Sequence, residues 1–366
     1  MEVSIWVIAS ALRYTCGDGD SCGVTELDVD AVVARANEAA RARWGADTSI
    51  GELTPLPGGV SSLTYRADLS RPGCSAQPIV VKVAPPGLAP VRNRDVLRQA
   101  RIIALLDARP EISMPSVLFE DAGDPPLFAM SLMRGESYEP LLDISEKPPS
   151  PDVVAPRALA AARQLAAMHS FGPEELGVGD EQSLALPDEL DRWAALFATV
   201  DDSVCSGHTD VLELLRRSIP EPVADKLVHG DYRLANMLFD GTELTAVIDW
   251  EIWSVGDPRT DIAWLLMHTD PAHVFHESRS AADEAAGAAM PSRVEIADAY
   301  ARAAGADNLL ESIDWFLAYC LYKTASTISV LVKRNRRRES PDPTLEVAAR
   351  HLPDVIERAR SLAPKG

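Results

Sequence analysis

The feature that most limits what this chain can fold into is a single change in the period of its apolar residues. From Ile50 to Arg66 they form short extended runs broken by PLPGGVSS, and PIVVKVA then gives the continuous β-branched run of a buried strand. NRDVLRQARIIALLDARP supplies one amphipathic helix, and PSVLFEDAG and PPLFAMSLMRG read as two more strands joined by a turn. Ahead of them, LDVDAVVARANEAARARW predicts a first helix with Asp28 or Asp30 placed to cap it. Residues 135–151 are rich in Pro, Ser and Glu without periodicity, and read as a linker. Beyond it the spacing turns helical, in PRALAAARQLAAMHSF, DELDRWAALFATV, TDVLELLRRSI, RVEIADAYARAAG and IDWFLAYCLYKTASTISVLVKR. Only KLVHGD, NMLFD and LTAVIDW interrupt that pattern with strand-like runs.

The expected fold class is therefore α+β, in two lobes. A small β-rich N-lobe occupies 26–134, a linker 135–151 and a larger, mainly helical C-lobe 152–366, with 1–25 a poorly defined leader. A net charge of −20 disfavours nucleic acid and anionic membranes as partners, since the summed field repels both. The five cysteines are scattered and form neither a disulfide framework nor a metal knuckle, which fits a reducing cytoplasm. VSIWVIASAL is about half the roughly 20 residues a membrane span needs, and no other apolar run reads as long enough. The sequence leaves the oligomeric state open.

The stretch that carries chemistry is HGDYRLAN followed by AVIDWE, which sets Asp231, Asn236 five residues on and Asp249 thirteen after that on strand ends and their loop. Magnesium takes hard oxygen donors and usually one or two carboxylates, completing its shell with phosphate oxygens and water. Asn236 and Asp249 meet that need. Phosphoryl transfer also requires a group that orients the acceptor hydroxyl or takes its proton, and Asp231 on the preceding turn is that group. The histidines show no HExxH or paired-ligand spacing, so a zinc site is not expected.

With these residues in place, the sequence resembles the aminoglycoside phosphotransferase and protein-kinase-like superfamily, whose signature is a catalytic-loop HGDxxxxN followed by a metal-binding Asp. His229, Gly230, Asp231 and Asn236 match the loop and Asp249 the second metal ligand. The resemblance, over roughly residues 30 to 335, implies a protein-kinase-like two-lobed fold and ATP- and Mg2+-dependent phosphotransfer to a hydroxyl of a small molecule. GDPRTDIAW resembles the segment that follows in this superfamily, and by that resemblance Asp261 braces the catalytic loop.

The first half supplies what a nucleotide site needs. LPGGVSSLTYR sets Gly58, Gly59, Ser61 and Ser62 between extended runs, where backbone amides can approach phosphate, and it resembles the family's phosphate-covering loop. Lys82 is a charge inside an apolar strand that must reach water or a partner, and it resembles the strand lysine that contacts the α- and β-phosphates. Where the family places a helix glutamate to hold that lysine, this chain has Gln99, with Asp95 one turn earlier; either could be the partner. FAMSLMRG resembles the hinge that binds the adenine edge, with the Ser131 carbonyl and the Met133 amide in position.

HGDYRLANMLFD, IDWEIWSVGDP and TDIAWLL look closest to the branch associated with acyl-CoA dehydrogenases, which implies a hydroxyacyl-CoA-type acceptor; an aminoglycoside or other antibiotic is the alternative. The alternative of another class is a nucleotide-binding pseudokinase. KRNRRR, from Lys333 to Arg338, either complements the dipole at a helix end or seats the phosphates of coenzyme A. Asp201, Asp202, Asp283 and Glu284 are expected to face solvent without a role.

Overall fold

A computed structural model of the chain describes residues 27–56, 62–276, 278–305 and 310–364; the leader 1–25 lies outside them. The described chain divides into two compact units. One runs to Arg134 and takes in Thr245–Trp253, and the other comprises Gly135–Leu244 and the residues from Ser254 onward.

The first unit opens with helix α1 (Val29–Trp44), where the Asp28 carboxylate accepts from the Ala31 amide at 3.0 Å and caps it. An antiparallel sheet follows, built from β1 (Ser49–Ile50), β2 (Thr54–Pro55), β3 (Leu63–Ser70) and β4 (Gln77–Val83). After helix α2 (Val96–Asp107) come β5 (Val117–Asp121) and β6 (Leu127–Ser131). The order is β1-β3-β4-β6-β5, with β2 on β3. Ile79, Val81 and Val83 of β4 are fully buried against Val32, Ala36 and Ala40 of α1 and Phe119, Leu127 and Ala129 of β5 and β6. Each large aliphatic side chain so buried contributes about 1.5–3 kcal/mol, so the β-branched run makes β4 a central strand.

Thr245–Trp253 joins this unit although it follows HGDYRLAN in the sequence. The expected division, with everything after 152 in one helical lobe, is corrected here by named contacts. The Val247 amide donates to the Ser113 carbonyl at 3.0 Å and the Thr245 hydroxyl to the Arg134 carbonyl at 2.5 Å. The Arg98 guanidinium lies 3.7 Å from the centre of the Trp253 ring and donates to the Trp253 carbonyl at 3.0 Å, while the Trp253 indole donates back to the Arg98 carbonyl at 3.2 Å.

In the second unit, residues 135–150 are packed rather than free. Tyr138, Glu139, Leu141 and Leu142 are buried, and Glu136 pairs with Phe239 as an isolated bridge. At Gly135 φ is 121°, and a Cβ there would lie 2.7 Å from the Phe239 backbone, so only glycine fits. Asp283 is completely buried, contrary to the solvent-facing expectation: it accepts from the Tyr138 hydroxyl at 2.6 Å, the Ser280 hydroxyl at 2.7 Å and the Ser145 amide at 3.2 Å, tying this segment down.

The unit continues through α3 (Pro151–Ser170), α4 (Pro173–Leu176), β7 (Ser183–Leu184), α5 (Leu186–Phe197) and α6 (His208–Arg217). The strands β8 (Lys226–Val228), β9 (Met237–Asp240) and β11 (Ser254–Gly256) follow, β11 pairing antiparallel with β8 and parallel with β7, while β10 (Glu243–Val247) begins in this unit and ends in the first. Helices α7 (Arg259–His268), α8 (Ala281–Ala288), α9 (Arg293–Ala304), α10 (Ile313–Asn335) and α11 (Pro343–Leu362) complete it. By length and composition α10 could cross a membrane, which corrects the expectation that no run is long enough; 89% of its apolar window is buried inside the protein, the mark of a core helix.

Candidate active site

In the second unit the chain leaves β8 at Val228 and turns through Gly230, whose φ of 85° glycine adopts without strain. Asp261, in the first turn of α7, fixes that turn. Its carboxylate accepts from the His229 amide at 2.6 Å and the Gly230 amide at 2.9 Å, the bracing that the resemblance implied. Two charge-assisted bonds on adjacent amides leave the turn little freedom.

Asp231 follows at once and is 5% exposed. Trp264 of α7 donates its indole N–H to Oδ1 at 2.8 Å, Asn236 donates from Nδ2 to Oδ2 at 2.8 Å, and Arg233 Nε stands 3.3 Å from Oδ1. Burial by itself would raise this carboxyl, but Arg233, with further positive charge from Lys323, outweighs it and holds Asp231 well below the usual carboxylate range. His268 adds no charge at neutral pH, because burial and then the Arg233 charge push it down to about 3. Asp231 is therefore a fixed anion.

The Asn236 amide is aimed by its donor side. Nδ2 bonds both the Asp231 carbonyl and Oδ2 at 2.8 Å, which leaves Oδ1 buried with no hydrogen-bond partner. A buried carbonyl oxygen without a donor is rare, and it suits a hard cation. The Asn236 oxygen is thus a donor whose chemistry fits magnesium.

In the first unit Lys82 and Asp249 come together. Lys82 extends from β4, where it pairs in register with Thr64 and Phe128, and its Nζ donates to Gln99 Oε1 at 3.0 Å. Asp95 is occupied elsewhere: it caps α2 by accepting from the Arg98 amide at 3.0 Å, so of the two candidates Gln99 is the partner. Gln99 is fixed in turn by donating to the Asn93 carbonyl at 3.2 Å. Lys82 Nζ also stands 3.9 Å from Asp249 Oδ1. Asp249 itself has φ 66°, left-handed backbone that Asp tolerates better than most residues and that often marks functional sites.

Ser131 ends β6, with its amide bonded to the Ser116 carbonyl at 2.9 Å and its hydroxyl accepting from the Ser116 amide at 2.9 Å. The Met133 side chain lies beside it, its sulfur 3.5 Å from the Ser131 hydroxyl. Ser62 is buried beside the start of β3, and Gly58, Gly59 and Ser61 lie outside the described residues.

Sequence reasoning missed Arg233, Trp264, Lys323 and Glu139. Arg233 could have been found inside the motif itself. Lys323 carried the same signal as Lys82, a lone charge in an apolar run, but on a helix. Glu139 is buried, with Oε2 accepting from the Ala235 amide at 3.2 Å, and burial pushes its carboxyl up to about 8. No local pattern marks it.

The family model of the phosphotransferase enzyme family matches residues 52–310. The chain belongs to that family. Mouse acyl-CoA dehydrogenase family member 10 is 23% identical over 328 residues, covering 86% of this chain and 29% of that protein. The chain spans about a third of the length of the curated relatives it matches. Among solved structures, a Ralstonia eutropha protein described as an aminoglycoside phosphotransferase has a TM-score of 0.68 at 19% identity, covering 92% of this chain and 98% of that one. A thermostable mutant of aminoglycoside phosphotransferase APH(4)-Ia, in ternary complex with AMP-PNP and hygromycin B, has a TM-score of 0.57 at 15% identity, covering 89% and 97%. At these identities the likeness shows the fold, which is protein-kinase-like.

Proposed function

We propose that this small-molecule kinase transfers the γ-phosphoryl group of ATP, with magnesium, to a metabolite hydroxyl, and that the acceptor is a hydroxyacyl-CoA thioester. The observation that carries the reaction is Asp231, a buried carboxylate fixed by Trp264, Asn236 and Arg233 beside an Asn236 oxygen that has no partner. The acceptor class rests on the match to acyl-CoA dehydrogenase family member 10.

Magnesium, when bound through Asn236 and Asp249, would neutralise charge on the phosphate oxygens and leave the γ-phosphorus open to attack. Asp231 would accept the hydrogen bond of the acceptor hydroxyl. Its carboxyl is held so far below neutrality that it is a weak base, so it orients the hydroxyl in line and takes the proton late, as a loose transition state allows. Lys82, held by Gln99, would bind phosphate oxygens, and the Ser131 carbonyl and Met133 amide the adenine edge. A glycine- and serine-rich run from Gly58 to Ser62 would cover the phosphates through its amides.

At the basic cluster ending α10, the observed pairings favour the helix-end reading over a seat for coenzyme A phosphates. Arg336 is engaged by both oxygens of Glu346 at 2.9 and 2.8 Å, and Lys333 donates to the Thr199 carbonyl at 2.7 Å. Magnesium-dependent transfer of labelled phosphate from γ-labelled ATP to a panel of 3- and 4-hydroxyacyl-CoA thioesters and aminoglycosides tests the reading, with Asp231→Asn as control. Labelled thioester is the expected product. Label only on an aminoglycoside would overturn the acceptor, and nucleotide binding without transfer to any compound would make the protein a pseudokinase.

A further inference from the structure

Lys323 is the only charged residue between Asp314 and Lys333, and from Trp315 to Val332 the only residue of α10 that is not buried. A lone ammonium held in a core helix needs a reason, because desolvating it is costly unless it is partnered. Its Nζ donates to the Gly230 carbonyl at 2.8 Å. It also lies 4.1 Å from the centre of the Trp264 ring and 5.5 Å from that of Trp193.

Those contacts converge on one group. The Gly230 carbonyl belongs to the peptide that leads into Asp231, and the Trp264 indole donates to Asp231 Oδ1 at 2.8 Å. Asp261 already holds the Gly230 amide at 2.9 Å, so the glycine is gripped at its N–H from α7 and at its carbonyl from α10. On the far side, Glu189 of α5 accepts from the Tyr319 hydroxyl at 2.8 Å and the Trp193 indole at 3.3 Å. The positive charge of Lys323 acts on both carboxylates, Asp231 and Glu189.

We propose that Lys323 is a positioning residue for phosphoryl transfer: by fixing the Gly230–Asp231 peptide and packing on the Trp264 ring, it sets the direction of the Asp231 carboxylate and ties helices α5 and α10 to the catalytic turn. The proposal rests on the kinase reading. Misplacing a catalytic group by about an ångström costs roughly a hundredfold in rate, whereas nucleotide contacts on other residues are untouched.

The test compares Lys323→Met, which keeps all but the last atom of the side chain's length and loses charge and donor, with Lys323→Arg, whose guanidinium can still donate and stack. Activity is read as ADP released from magnesium-ATP with water as acceptor, and the turn as deuterium uptake of the segment 229–236. Lys323→Met should lower kcat roughly ten- to a hundredfold with the KM for ATP within about twofold, and speed exchange in that segment alone. Lys323→Arg should recover most of both. A methionine variant with wild-type kcat and exchange overturns the proposal, as does one that loosens the whole helical unit with no recovery by arginine. If the wild-type protein releases no ADP, the kinase reading fails, and the exchange comparison still decides whether Lys323 fixes the turn.

Discussion

Trp264 reaches Asp231 from the second turn of helix α7, its indole N–H 2.8 Å from Oδ1, so one helix carries both that indole and the Asp261 carboxylate that braces the loop. The direction of the Asp231 carboxylate is thereby decided by a residue 33 positions downstream. Trp264→Phe keeps a smaller aromatic ring and deletes the donor; it should lower kcat roughly tenfold and cost about 1–3 kcal/mol of stability, from the lost bond and the space left by the indole. Asp231→Asn should lower kcat by about two orders of magnitude or more while ATP still binds. Steady-state kinetics beside nucleotide titration separate the two.

Asp261 is 1% exposed and serves two backbone amides at once. Asparagine has one acceptor oxygen and alanine none, and each buried amide left unpaired costs about 1–3 kcal/mol. Urea midpoints should fall from wild type to Asp261→Asn to Asp261→Ala. Activity should fall in the same order.

Asp249 combines left-handed backbone with a carboxylate 3.9 Å from Lys82. Asparagine accepts that backbone almost as readily, so Asp249→Asn should melt within a few degrees of wild type yet lose magnesium-dependent nucleotide affinity. Calorimetric titration of ATP with and without magnesium checks it. Asp249→Ala should lose that affinity too and also melt lower.

Two buried groups give opposite pH slopes. His268 titrates near 3 in the fold and near 6.5 when exposed, so the unfolded chain binds the extra proton between those values and stability is lost as pH falls from about 6.5 to 3. Glu139 titrates near 8 in the fold against about 4.5, so the folded chain holds the extra proton and its contribution is lost as pH rises from about 4.5 through 8. Urea midpoints across that range should show the alkaline fall flattened in Glu139→Gln and retained in Asp231→Asn.

Because Arg336 is paired with Glu346, an exposed ion pair worth at most about 1 kcal/mol, Arg336→Ala combined with Arg337→Ala should leave the KM of a coenzyme A thioester within about twofold. A larger rise would return the cluster to the acceptor site.

What the sequence by itself determined was local. The strands and helices follow from apolar periods of a few residues, the choice of cap narrows to Asp28 or Asp30 beside the helix it starts, and Asp231, Asn236 and Asp249 stand out because their spacing is written along one short stretch. Lys82 was legible because a charge in an apolar strand needs a partner, but which partner was not: Gln99 and Asp95 lie on one helix face, and only the cap bond that occupies Asp95 decides. The tertiary structure alone decided that Thr245–Trp253 joins the sheet unit, that Asp283 is buried, and that α10 is a core helix. It alone set Trp264 on Asp231 and Lys323 on Gly230. Those bonds join residues 33 and 93 positions apart, and contacts of that separation arise from helix packing, which no local period encodes.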